Sequence, residues 1–264
     1  IVSLLSIKKR YMTIQKKLII LALFVLSSNL NAQNFWKETT LKSNLSVSKN
    51  KIASTAETAT LELDIKSFKE QITTAPLRFS AEAKSKSVIV DFPNPQGSTS
   101  KFSIVEAPTL SPELGARFPE IKSYAGYNID NPSEYLRFDI SPRGLHGMIL
   151  SSTGRTVIIN PYNEMTTEIY EVFYKKDANH DHTFTCGTEA AAKTQQAPES
   201  LESQKNLLST DFKTYRLALA CTGEYGIYHG NDTTLVLAAM NTTMTRVNGV
   251  YEREFALTME IIDN

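Results

Sequence analysis

The sequence predicts an α+β protein: an antiparallel β-rich domain followed by the opening strand, helix and strand of an α/β domain. Three observations carry this. Between residues 58 and 176, short runs rich in Ile, Val, Tyr and Phe are separated by Pro, Gly, Ser and Asn clusters, the pattern of an antiparallel sheet rather than of βαβ units. From Gly187 to Thr210 the chain has no aromatic residue and no β-branched residue other than Thr, a linker composition. Beyond that stretch, apolar residues recur at helical spacing between two strand-like runs.

The first 32 residues stand apart. They hold Lys8, Lys9, Arg10, Lys16 and Lys17 and no acidic residue, and Lys16 and Lys17 precede an apolar run from Leu18 to Leu26 and the polar SSNLNA. Charged, apolar, then small and polar is the order of a secretory signal peptide. The run is shorter than the roughly 20 apolar residues needed to span a bilayer. The expectation is therefore a secreted or cell-surface protein with no membrane span, cleaved near Ala32. Without the leader, 23 basic residues face 28 acidic ones, about −5 in net charge. No basic stripe remains for nucleic acid. An apolar fraction of 41% is enough for a packed core and excludes wholesale disorder.

The elements follow in order. Residues 33 to 57 form a polar lead. Ala59, Leu61 and Leu63 alternate as in a strand, and Asp64 is placed to cap a helix over Ile65 to Ile72 with Ile65, Phe68 and Ile72 on one face. SVIVDF and KFSIVEA flank PNPQGSTS and make a hairpin. SPELGARFP suits one or two helical turns with Pro112 in the first. EIKSYAGY, EYLRFDI, LHGMIL, RTVIINPY and TEIYEVFY supply five more strands, so the β-rich domain runs over residues 58 to 186. After the linker at 187 to 210, the last region spans 211 to 264. There Tyr215 to Ala220 reads as a strand buried on both faces. Val236, Met240, Met244, Val247 and Tyr251, spaced by 4, 4, 3 and 4, form one helical stripe behind a cap at Asn231 or Asp232. Phe255, Leu257, Met259 and Ile261 then alternate as a second strand. Strand, helix, strand is a crossover unit.

Several chemistries lack their motif. No G-x-S-x-G, G-x-x-x-x-G-K-[ST] or G-x-G-x-x-G occurs. Ser46 and Lys49 make a bare S-x-x-K in the polar lead, before any core. Four histidines are present. His180 and His182, with Cys186 four residues on, have zinc-ligand types but lack a fourth member, and an H-x-H in a loop is commonly just solvated. His146 lies in a strand and reads as a hydrogen-bonded sheet residue. His229, in the polar turn before the helix, reads as surface-exposed.

The stretch YRLALACTGEYGIYHG through LVLAAMNTTMTRVNGVYEREFALTMEIIDN resembles the start of the catalytic domain in bacterial reprolysin-like zinc metallopeptidases, a branch of the metzincins. MNTTMTRVNGVYEREF is its most specific part. The upstream block, with SPELGARFPEIKSYAGY, LRFDISPRGLHGMIL and TVIINPY, resembles the propeptide before that domain in secreted proteins of Bacteroidetes type. The resemblance covers residues 58 to 264. It implies a zinc metalloendopeptidase precursor acting on protein or peptide substrates and matured by an activating protease or by self-cleavage. In that family zinc is bound by the histidines of an H-E-x-x-H-x-x-G-x-x-H helix, whose glutamate is the general base. That pattern is absent from this sequence and is expected after Asn264, so zinc is expected to be bound beyond the end of this chain. The 264 residues alone are expected to be inactive.

Cys186 is the one residue here that the resemblance brings near the metal. A propeptide cysteine just before the maturation linker is positioned to ligate zinc in place of the attacking water. A disulfide between Cys186 and Cys221, or an unpaired thiol, stays open beside that reading. Cys221 reads most simply as a small core residue. The alternative from another class is a secreted β-rich binding or adhesion module without catalytic activity.

Overall fold

In the computed structural model, residues 35–40, 57–163, 166–178 and 212–263 are described. Among them, nine strands form one antiparallel sheet: β1 (Trp36–Glu38), β2 (Thr58–Leu63), β3 (Val88–Pro93), β4 (Thr99–Glu106), β5 (Lys122–Asn128), β6 (Tyr135–Ser141), β7 (Gly144–Leu150), β8 (Val157–Pro161) and β9 (Ile169–Tyr174). Their spatial order is β1-β2-β9-β8-β7-β6-β5-β4-β3. Hairpin neighbours stay neighbours, as short turns dictate. The end strands nearly close the sheet, with the Trp36 indole N–H donating to the Asp91 carbonyl on β3 at 2.9 Å.

The interior is aromatic. Phe92 lies 4.9 Å from Phe138, 5.8 Å from Phe68 and 6.0 Å from Phe102, centroid to centroid, and Tyr124 stacks on Phe138 at 4.9 Å. Such ring pairs add to the area they bury. Phe68 comes from α1 (Ile65–Ile72), whose N-cap Asp64 accepts from Ser67 N and whose Phe68 and Ile72 are buried, as the spacing predicts. The hairpin β3–β4 and the short α2 (Pro112–Arg117), capped by Ser111, also form where predicted. The polar lead does not stay outside the fold. Its Phe35 and Trp36 enter the core and β1 adds to the sheet edge, because two adjacent aromatics bury enough area to order a three-residue strand.

The C-terminal region forms β10 (Lys213–Leu217), a short α3 (Gly223–Tyr228), the long α4 (Thr233–Phe255) and β11 (Leu257–Ile261). β10 and β11 pair in parallel with α4 between them, the crossover unit expected. Asp232 caps α4 by accepting from Leu235 N, and Ala256 ends it in the left-handed region at φ 52°. Three readings need correction. β10 is not buried on both faces: Lys213 to Arg216 are exposed, because this sheet has only two strands and β10 lies at its edge. Cys221, just past β10, is accordingly an exposed thiol and not a core residue. Phe255 belongs to the end of α4, not to the second strand, and is exposed.

The outer side of β11 is held by the upstream chain. Ser111 N donates to the Ile261 carbonyl and Ile261 N to the Thr109 carbonyl, both at 2.8 Å. α4 lies across β6 and β7. Every residue of β6 is therefore buried, with Leu136, Phe138 and Ile140 inside the sheet and Tyr135, Arg137 and Asp139 beneath the helix. Among the described residues no helix is long and apolar enough to cross a membrane.

A buried polar seam as candidate functional site

Strand alternation delivers one half of the site and helical periodicity the other. On β6 the outward positions are Tyr135, Arg137 and Asp139, and on β7 they are His146 and Met148. On α4 the buried residues Asn241, Thr242, Thr245, Asn248, Gly249 and Glu252 are spaced by 1, 3, 3, 1 and 3, one face of a helix. Apart from Gly249 that face is polar. The apolar residues Leu237 and Met244 look instead toward Leu110, Leu114 and Ile121.

Glu252 is the hub. Its side chain is 2% exposed and meets three partners: Arg78 Nη1 at 2.7 Å, Arg137 Nε at 3.6 Å, and the Tyr135 hydroxyl, which donates to Oε2. Arg137, fully buried, also donates to the Ala107 carbonyl at 3.1 Å. Arg78 in turn lies over the rings of Phe79 and Phe212, at 4.9 and 4.6 Å. Glu252 thus ties the loop after α1, the sheet and the start of the C-terminal region to one carboxylate. Burial raises the Tyr135 hydroxyl pKa, which keeps it a donor.

Further along the helix the charges reverse. Asp139, on the sheet, accepts from the Thr242 hydroxyl at 2.8 Å, and Arg246, on the helix, donates to Asn160 Oδ1 at 2.5 Å. Burial pushes the Asp139 carboxyl up to about 7, a rise that Thr242, Arg246, Arg137 and Asn241 reduce but do not cancel. Burial lowers Arg246 against the opposing pull of Asp139. His146, at 3.9 Å from Asp139, is pushed down to about 3 by burial and by Arg246 and Arg143. It is therefore neutral and no ion-pair partner. The hydrogen bond expected of His146 is not made at Nδ1, which has no partner among the described residues; the same holds for Asp139 Oδ1 and Arg246 Nε.

Between the two charged zones lies a neutral one. Ser123, Asn241, Thr245 and Thr109 exchange hydrogen bonds of 3.0 to 3.2 Å. The Asn248 amide binds both backbone groups of Met259, at 2.8 and 2.9 Å, and so fixes β11 to α4. Gly249 lets the helix approach closely: a Cβ there would sit 3.0 Å from Met148 Cε and 3.1 Å from Arg137 Cγ.

Of the residues singled out for chemistry, His146 lies under α4 and His229 is half-buried, against Tyr225 and Tyr228 at 4.4 and 4.8 Å, not surface-exposed as expected. Cys186, His180, His182, Ser46 and Lys49 lie outside the described residues, as do the leader and the linker. Among the described residues no three His, Cys, Asp or Glu side chains converge. They do not fit a zinc site, since His146 faces Arg246 and Arg143 and Cys221 stands alone among the described residues. The chain matches no protein-family model and no curated protein. Arg137 and Glu252 were missed because charged residues at outward strand positions and on one helix face look the same in sequence whether they face water or each other.

Proposed function

We propose that the chain is the precursor part of a secreted zinc metalloendopeptidase, in which the sheet acts as propeptide and residues 212–263 open the catalytic domain, with the zinc ligands in sequence after residue 264. The observation that carries the reading is the seating of a two-stranded parallel α/β unit on a separate antiparallel sheet through a polar, charge-matched seam. A propeptide must hold the enzyme before maturation and be able to leave it, and a polar seam serves both ends. The resemblance over residues 58 to 264 supplies the reaction class. Cys186 and the linker are the places where latency and maturation would act.

The test is expression of the gene carried past residue 264, with zinc supplied. The intact precursor should be latent, cutting within 187 to 210 should release peptide hydrolysis, and a chelator should abolish it. A cut product with no hydrolysis of any peptide pool would leave the binding or adhesion module as the better reading. Full activity before cutting would remove the propeptide role.

A further inference from the structure

We infer that the outer face of β5, β6 and β7 is a reversible recognition surface for the segment 212–263, binding it in trans once the chain between them is cut, with Glu252 as the specificity-determining residue. The partner is thus a helix of this same protein, presenting one carboxylate and a row of small polar side chains.

Four observations lead there. The first is polarity. A seam meant to be permanent is built like a core cut in half, whereas partners that live apart meet through polar surfaces. The α4 face beneath the sheet offers Asn241, Thr242, Thr245 and Glu252 to water when it leaves, and the sheet offers Tyr135, Arg137 and Asp139. The second is incomplete satisfaction. Asp139 Oδ1, His146 Nδ1 and Arg246 Nε have no hydrogen-bond partner among the described residues, and solvent repays that cost on separation.

The third is packing. A cavity of about 520 Å³ opens along the seam, walled by Leu77, Ala107 and Pro112 from the sheet side and by Thr214 and Thr258 from the C-terminal side. Half open to solvent, it leaves this stretch of the seam without close packing. The fourth is the order of charges. Toward the C-terminal end of α4 the sheet is cationic, Arg78 and Arg137, and the helix anionic, Glu252. Six residues earlier the helix carries Arg246 and the sheet Asp139. A helix seated backwards would bring Glu252 to Asp139 and Arg246 to Arg137. The two arginines repel each other in a low-dielectric seam, and the two carboxylates do so when Asp139 is ionised, so the pattern selects direction and register. Affinity comes from the apolar end, where Leu237, Met244 and Ile261 meet Leu110, Leu114 and Ile121.

The inference does not rest on the peptidase reading, because its test measures binding alone. A protease site is placed between residues 190 and 205 of the full chain and cut after folding. The two pieces should co-elute in size-exclusion chromatography at micromolar concentration and separate on dilution. Glu252→Gln should weaken the association about a hundredfold, because Arg137 is left buried with a weaker partner. Tyr135→Phe, which deletes one hydrogen bond to the carboxylate, should weaken it about tenfold. Trp36, the single tryptophan, is buried in the sheet core and reports that unit's fold. Its emission should be the same in the parent and both variants, bound or separated. Pieces that part at micromolar concentration, or Glu252→Gln binding within twofold of the parent, would overturn the proposal. So would a Trp36 change on separation, since the sheet would then need the helix in order to fold.

Discussion

Phe138 and Arg137 are neighbours on one strand, both fully buried, and they face opposite worlds. Phe138 points into the sheet, where three other aromatic rings, those of Phe68, Phe92 and Tyr124, lie within about 6 Å. Arg137 points out, under α4, where its contacts are a carboxylate, a carbonyl and a hydroxyl. Burial alone does not distinguish a core from an interface; the chemistry of what is buried does. The inner face is stabilised by area and ring packing, which are non-directional and tolerate no absence. The outer face is stabilised by matched donors and acceptors, which specify a partner and a register more than they add stability.

That contrast is broken most directly on its inner side. Phe138→Ala opens a void among Phe68, Phe92 and Tyr124 and is expected to cost about 3–5 kcal/mol, read from chemical denaturation followed by Trp36 fluorescence. The whole sheet should lose stability together. A cost below about 1 kcal/mol would mean the inner face is not the core.

Arg137→Met is the matching change on the outer side, with expected local cost of about 2–3 kcal/mol because Glu252 keeps Arg78 and Tyr135. Here the effect should be confined. Amides of α4 should exchange with solvent about thirtyfold faster or more, while those of β2 and β9 keep the parent rate. Equal acceleration in both places would erase the distinction between core and seam.

The seam also titrates where the core does not. The Asp139 carboxyl is raised to about 7, above the usual carboxylate value near 4, so its contribution is complete below about pH 4 and is lost as pH rises through 7. His146 is lowered to about 3 and is neutral in the fold, so its contribution is complete above about pH 6.5 and is lost as pH falls toward 3. The two slopes oppose each other between pH 4 and 6.5. Asp139→Asn removes the first and leaves the second. The variant is expected to be more stable than the parent at pH 8 by on the order of 2 kcal/mol, with the gain gone at pH 4, in parallel urea titrations. A gain independent of pH would show that Asp139 is not held protonated.

The same division decides what the sequence revealed. Elements with one apolar face were legible: the strands of EYLRFDI and TEIYEVFY and the Asp64-capped α1 formed where spacing placed them, and so did the helix α4, but of its apolar stripe only Met244 is buried and Tyr251 is exposed, while most of the buried face is polar. Partnerships between polar faces were not. Thr245 and Ser123 are 122 residues apart, and nothing in either segment says that their hydroxyls lie 3.0 Å from each other. β1 was illegible for another reason. Three residues are too few for a period, and only closing the sheet gave Trp36 a place. β10 misled because an apolar run reads as buried, although its exposure depends on how many strands flank it.

The smallest effect is the most discriminating, because two forces of similar size meet at Gly249. In an isolated helix, replacing an interior glycine with alanine is favourable by about 1 kcal/mol. Against the sheet, the added Cβ comes to 3.0 Å from Met148 Cε and 3.1 Å from Arg137 Cγ, closer than carbon atoms pack at ease. Met148 can yield by rotating the end of a flexible chain; Arg137, fixed by Glu252 and the Ala107 carbonyl, cannot. For Gly249→Ala the terms should nearly cancel, leaving a change within about 0.5 kcal/mol, whereas Gly249→Leu, which no neighbour can accommodate, should cost about 1–3 kcal/mol by overpacking. Both are read from exchange of the α4 amides. If Gly249→Ala instead gains the full 1 kcal/mol, and Gly249→Leu gains as well, the helix does not lie close on the sheet, and the seam is looser than its hydrogen bonds require.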